Sequence, residues 1–275
     1  MRQFEIADGF TIGGRSPLFF IMGPCVIEDE ATALNTLEAL VRLTEGLKLR
    51  FVFKASYDKA NRTSVKSFRG PGLKKGVKVF KKAKKEFPGV PILTDVHCRY
   101  DVKEVAEAVD IIQIPAFLCR QTDLILEAAK TKRIVNIKKG QFMSPASMRN
   151  SIDKALSAGN NRIIVTERGV SFGYNNLVVD YRAIPEMREM GFPVVFDATH
   201  SVQTPGGLGN RSGGDRAMAG YLARAAAAVG VDGIFMEVHP DPDKALCDGP
   251  NSIRVKDLKG LLRELSEIDA LVKGF

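Results

Sequence analysis

Short runs of adjacent apolar, β-branched and aromatic residues recur along the chain at Leu18–Met22, Phe51–Phe53, Pro91–Thr94, Ile111–Ile114, Ile134–Ile137, Ile163–Thr166, Val194–Phe196 and Gly233–Met236. Their near-continuous hydrophobicity is that of parallel strands covered on both faces, since a half-exposed strand would alternate. Between them the apolar positions change to helical spacing. Glu30–Gly46 carries Leu34, Leu37, Leu40 and Leu43, and comparable patterns run over Leu73–Phe87, Val102–Val109, Thr122–Lys130, Pro145–Ala158, Ile184–Met190, Ala217–Val229 and Val255–Leu271.

Eight strands alternating with eight helices predict an α/β fold, a (β/α)8 TIM barrel. A doubly wound sheet shares this alternation, so the strand endings have to discriminate. They read Cys25, Lys54, Asp95-Val-His97, Lys138-Lys139, Glu167-Arg168, Asp197-Ala-Thr-His200 and Glu237-Val-His239. A barrel draws its site from most strand ends, whereas an open sheet concentrates it at one switch point. Ahead of the first run, Gln3–Ile6 and Phe10–Ile12 alternate around Asp8-Gly9, which predicts a hairpin within residues 1–13 that closes the barrel floor.

Composition narrows the reading further. The 275 residues, 45% of them hydrophobic, carry no Pro/Ser-rich linker, so a single catalytic domain over 1–275 is expected. No apolar run approaches a membrane span and the first residues lack a signal peptide's pattern, which predicts a cytoplasmic protein without membrane contact. The net charge of +8 is concentrated in Lys74, Lys75, Lys78, Lys81, Lys82, Lys84 and Lys85, on one amphipathic segment. That is a solvated helix face, and nucleic acid is not expected as a partner. Cys25, Cys98, Cys119 and Cys247 are irregularly spaced and are expected to be reduced. Neither nucleotide-binding glycine motif occurs in its required place, so no nucleotide cofactor is expected.

Two groups of residues carry chemistry. Cys25, His200, Glu237 and Asp248 could bind one divalent metal if the barrel gathers them. The set mixes soft, borderline and hard donors, which suits Mn²⁺, Fe²⁺, Co²⁺ or Zn²⁺ over Mg²⁺ or Ca²⁺. Singly, Cys25 also reads as a small buried hydrophobe and His200 as a loop histidine. The second group is Lys54, Lys59, Asn61, Arg62 and Thr63 after the second strand, joined by Arg120, Lys138, Lys139 and Arg168 at other strand ends. Cations crowded at one mouth imply a ligand, or two, with more than one negative group. His97 and His239 are the other histidines and read as supporting polar groups. Gln203–Arg216 is glycine-rich and reads as a lid or a long surface loop.

The motifs Gly23-Pro24-Cys25, Lys59-Ala60-Asn61-Arg62-Thr63-Ser64, Gln113-Ile-Pro-Ala-Phe117, Asn136-Ile-Lys-Lys139 and Cys247-Asp-Gly-Pro250 closely resemble 3-deoxy-D-manno-octulosonate 8-phosphate synthase. The resemblance spans nearly the whole chain. It implies a TIM barrel, a homotetramer, and condensation of phosphoenolpyruvate with D-arabinose 5-phosphate for lipopolysaccharide biosynthesis. Since metal-independent members carry Asn at the position of Cys25, it implies one divalent transition metal on Cys25, His200, Glu237 and Asp248, without an organic cofactor. It also implies that Lys54, Lys59, Gln113, the Ala116 backbone, Arg120, Lys138 and Arg168 hold phosphoenolpyruvate. Asn61, Arg62 and Thr63 would hold the pentose phosphate, with His200 nearby. Catalytic roles are implied for Lys138, His200, Asp248 and Asn61. The related heptulosonate synthase reaction on erythrose 4-phosphate and a lysine Schiff-base aldolase are the competing activities.

Overall fold

In the computed structural model, which describes residues 1–205 and 213–274, eight parallel strands close into a ring. They are β1 (Phe19–Gly23), β2 (Phe51–Lys54), β3 (Ile92–Asp95), β4 (Ile111–Ile114), β5 (Ile134–Lys138), β6 (Ile163–Glu167), β7 (Val194–Asp197) and β8 (Gly233–His239). Each pairs with the next, and β8 pairs with both β7 and β1, so no barrel edge is left open. Helices cover the ring: α1 (Glu30–Leu47), α2 (Leu73–Glu86), α3 (Val102–Ala106), α4 (Thr122–Lys130), α5 (Met148–Ser157), α6 (Ala183–Arg188), α7 (Arg216–Val229) and α8 (Leu258–Lys273). None of them is long and apolar enough to cross a membrane.

The strand pleat sorts the core into two parts. Phe20, Met22, Phe53, Ile112, Ile114, Val135, Ile137, Val165, Phe196 and Ile234 point outward and pack under the helices. Phe19, Ile21, Val52, Leu93, Ile111, Ile134, Ile164, Val195 and Phe235 form a separate cluster, and Ile6, Phe10 and Ile12 of the N-terminal hairpin belong to it. The hairpin strands Phe4–Ala7 and Phe10–Ile12 therefore plug the floor of the barrel, as their alternation predicts. Two residues further along seven of the eight strands the inward positions turn polar: Lys54, Asp95, Gln113, Asn136, Thr166, Asp197 and Glu237, all buried; on β1 that position is Gly23. Side chains alternate with period two, so an apolar floor layer is succeeded by a polar layer near the carboxyl ends.

Boundaries differ from the sequence pattern where local contacts override it. The last strand runs on to His239 because Val238 and His239 pair with a two-residue strand, Ile253–Arg254. Helix α5 starts at Met148, since residues 144–147 form turns closed by Ser144 and Pro145 carbonyls. Two further short ladders lie above the barrel, Val170–Ser171 with Leu177–Val178 and Gln203–Thr204 with Gly213–Gly214. The latter joins the ends of the expected lid. Residues 206–212 of that segment, Ser212 among them, lie outside the described residues.

Candidate active site

The polar layer opens into a cavity lined by Lys54, Lys59, Asn61, Arg62, Thr63, Gln113, Ala116, Lys138, Arg168, His200 and Asp248, each a residue singled out by sequence. Arg120 is not among the lining residues. Strand β4 ends at Ile114, a single 3-10 turn follows over Ala116–Leu118, and residue 120 emerges exposed to solvent. Asp95, His97, Phe117, Gln141 and Gln203 also line the cavity, although the site set drawn from sequence does not include them.

On one wall, His200 Nδ1 lies 2.8 Å from Asp197 Oδ2. Lys138 Nζ lies 2.5 Å from the same oxygen and 3.4 Å from His200 Nδ1. Burial works against ionisation of Asp197, but the neighbouring His200 and Lys138 outweigh it and hold the carboxyl far below its ordinary range. Burial lowers the Lys138 ammonium in turn, with Arg168 and Lys54 adding to the effect and Asp197 opposing it. Arg168 Nη2 donates to the His200 carbonyl and to Gln203 Oε1, both at 3.1 Å. It makes no ion pair with a carboxylate among the described residues.

A second cluster is built around Glu237, on the strand that pairs with the one carrying Asp197. Its Oε1 lies 2.9 Å from Lys54 Nζ and 4.0 Å from Lys59 Nζ, while Oε2 is buried without a hydrogen-bond partner among the described residues. Burial opposes the charge of Glu237, and Lys54, His200 and Lys59 outweigh it, leaving the carboxyl ionised at neutral pH. Lys54 Nζ also donates to the Cys25 carbonyl at 2.9 Å. This approach needs Gly23, where a Cβ would stand 2.0 Å from the Lys54 carbonyl oxygen. Burial likewise opposes the Lys59 charge, yet the surrounding acidic groups Cys25, Glu237 and Asp95 carry its ammonium well above the usual lysine value. Asp95 joins Ser56 Oγ and His97 Nε2, and His97 Nδ1 is buried with no hydrogen-bond partner among the described residues.

Asp248 links the two ends of the expected metal set. Its Oδ2 is 3.1 Å from Cys25 Sγ and 3.7 Å from His200 Nε2, which is itself 3.6 Å from Glu237 Oε1. Asp248 sits at φ +48°, a left-handed backbone that a non-glycine residue holds only under constraint. Ser252 Oγ, Ser252 N and Asn251 N all donate to its carbonyl and supply that constraint. The four expected donors thus gather around one carboxylate, in two overlapping triplets: His200, Glu237 and Asp248, and Cys25, Cys247 and Asp248.

The donor chemistry fits a divalent ion. Nδ1 of His200 is engaged by Asp197, so Nε2 is the ring atom that faces the carboxylate oxygens of Glu237 and Asp248, and one nitrogen with two carboxylates in mutual reach suits a divalent ion. Burial first, then the bond with Cys247 and the charge of Asp248, pushes the Cys25 thiol well above its ordinary value. A bound cation would reverse that balance and make it a thiolate.

Asp95 and Asp197 are named among the strand endings but not in the expected site set, and Cys247 reads there only as a reduced thiol. The signal for Asp95 and Asp197 was the pleat, because each lies two residues beyond an inward apolar residue, Leu93 or Val195. Cys247 carried no such signal, standing in a loop after the last strand.

The profile of the DAHP synthetase I family matches residues 3–274. A 2-dehydro-3-deoxyphosphooctonate aldolase of Geobacter sulfurreducens is 61% identical over 270 residues, covering 98% of this chain and 99% of that protein. The protein of the same name from Geotalea daltonii is 60% identical over the same shares of both chains. That of Pelobacter propionicus is 55% identical over 273 residues, 99% of this chain and all of its own length.

Proposed function

This chain belongs to the DAHP synthetase I family, and on that premise we propose that it is a transferase condensing phosphoenolpyruvate with D-arabinose 5-phosphate and water. The products are 3-deoxy-D-manno-octulosonate 8-phosphate and phosphate, a step of lipopolysaccharide biosynthesis. The shared name of the similar proteins, 2-dehydro-3-deoxyphosphooctonate aldolase, supports this choice over erythrose 4-phosphate. A cytoplasmic homotetramer is part of the same proposal.

The observation that carries the reading is one cavity holding Lys54, Lys59, Arg62, Lys138 and Arg168. Lys54 and Lys138 are matched by Glu237 and Asp197. Arg62 and Arg168 have no carboxylate partner among the described residues, and a guanidinium fork suits phosphate or carboxylate. Arg168, Lys138, Lys59 and Lys54, with Gln113, the Ala116 backbone and Arg120 from the loop after β4, hold phosphoenolpyruvate. Asn61, Arg62 and Thr63 hold the sugar, the latter two toward its phosphate.

Carbon 3 of phosphoenolpyruvate attacks the aldehyde while water adds to carbon 2, and the resulting hemiketal phosphate loses phosphate by C–O cleavage. The ionised Asp248 accepts the proton of that water, and Asn61 orients the pentose. His200, oriented by Asp197, turns Nε2 toward the reacting centre, and the lysines act as cations without forming an imine. Fixing both substrates in register contributes up to about 7–11 kcal/mol toward the barrier. A divalent Mn²⁺, Fe²⁺, Co²⁺ or Zn²⁺ ion on Cys25, His200, Glu237 and Asp248 would supply Lewis acidity at the aldehyde or the water.

Phosphate release in a coupled assay tests the proposal. It is expected with phosphoenolpyruvate and arabinose 5-phosphate together, and with neither alone. Turnover of erythrose 4-phosphate in preference to the pentose would replace it with the heptulosonate reaction. A covalent adduct trapped by borohydride would refute the cation role of the lysines.

A further inference from the structure

Cys247 has no part in the function proposed above, yet its sulfur belongs to one of the two donor triplets. The residue is 3% exposed, and its Sγ lies 3.0 Å from Cys25 Sγ. Arg62 Nη1 donates to the same sulfur at 2.7 Å. Cys25, Cys247 and Asp248 offer three ligand atoms within 4.8 Å of one another, as do His200, Glu237 and Asp248. The cluster therefore has a sulfur side and a nitrogen–oxygen side, joined by Asp248. Two thiolates on a tetrahedral ion with metal–sulfur bonds of about 2.3 Å stand roughly 3.8 Å apart. The two sulfurs need to part by less than about one ångström to grip an ion between them.

We propose that Cys247 is a further metal donor, acting with Cys25 and Asp248 as a sulfur-rich position that takes a thiophilic divalent ion, Zn²⁺ or Cd²⁺. The proposal rests on the metal reading above and adds one donor to it. A thiolate pair is soft, so it favours these ions over Mn²⁺, whereas the nitrogen–oxygen triplet alone discriminates less. The guanidinium of Arg62 adds an N–H···S bond that stabilises negative charge on Cys247, as partners of metal ligands do. Binding there displaces two thiol protons, where a site with Cys25 as its only sulfur displaces one.

X-ray absorption at the zinc edge, on the full chain loaded with Zn²⁺ alone, counts the sulfur neighbours directly. Two sulfurs are expected. One sulfur overturns the role of Cys247 and leaves the metal reading standing; no bound ion, or an ion without sulfur, overturns both. With Co²⁺ as probe, Cys247→Ser should lose about half of the sulfur-to-metal charge-transfer absorbance. The same variant should bind Zn²⁺ about tenfold more weakly, with Mn²⁺ affinity changed by less than about twofold. An undiminished charge-transfer band in Cys247→Ser overturns the proposal. Should that variant fail to fold, the absorption measurement on the unaltered protein still decides.

Discussion

Lys54 Nζ lies 2.9 Å from Glu237 Oε1 across the barrel interior, both side chains almost wholly buried, so a cation expected to grip substrate is matched by a carboxylate expected to grip metal. The two groups neutralise each other inside the core. Removing either alone strands a buried charge, which typically costs about 3–5 kcal/mol. Lys54→Met should therefore destabilise the fold by about that amount. Lys54→Met combined with Glu237→Leu should cost clearly less than the sum of the single changes. Urea unfolding of the two single variants and the double variant measures the coupling, and additive losses would contradict it.

Stripping the ion should abolish turnover, and Mn²⁺, Co²⁺ or Zn²⁺ should each restore part of it. Cys25→Ala should lose bound metal as measured by elemental analysis of the purified protein, because Cys25 Sγ is 3.1 Å from the carboxylate that joins the donor triplets. Cys25→Asn should retain some activity, since related synthases use that residue. Full turnover in a verified metal-free sample would remove the ion from the reaction.

The carboxyl of Asp197 is held below its ordinary range against the burial that opposes its charge, by His200 and Lys138. A depressed carboxyl contributes stability that is complete above the unfolded value, about pH 4, and is lost as pH falls from there toward the folded value. The free energy of unfolding should thus decline below about pH 4. Asp197→Asn should be less stable at neutral pH and should show a flatter acid limb. Unfolding curves collected from neutral to acidic pH compare the two slopes directly.

Arg62 lines the cavity on the polar segment after β2, and Arg168 lines it from the end of β6. A hydrogen bond to a charged group is worth about 1.5–3 kcal/mol, so Arg62→Ala should raise the KM for arabinose 5-phosphate by about one to two orders of magnitude. The KM for phosphoenolpyruvate should stay nearly constant. Arg168→Ala should show the reverse preference in steady-state kinetics. Equal effects on both substrates in either variant would contradict the division of the cavity.

The ring of strands was legible because burial on both faces writes a continuous apolar run, and each run was long enough to be read. The ladders Val170–Ser171 with Leu177–Val178 and Gln203–Thr204 with Gly213–Gly214 were not. Two-residue strands contain a single period of alternation, which no pattern can separate from a loop. Arg120 shows the corresponding limit for the site: it follows a strand end closely in sequence, and a 3-10 turn later it stands exposed, where sequence spacing alone does not say how near it lies to the cavity.

The sequence by itself determined the barrel, its plugged floor and the inventory of cations and metal donors at the strand ends, because those follow from local periodicity and residue chemistry. Tertiary structure alone decided the partnerships: Lys54 with Glu237 across 183 positions, Cys25 with Cys247 across 222, and Asp197 between Lys138 and His200. A periodic pattern records which face of an element is buried. It holds no record of which distant side chain waits there, and that is fixed only when closure of the ring brings β8 against β1.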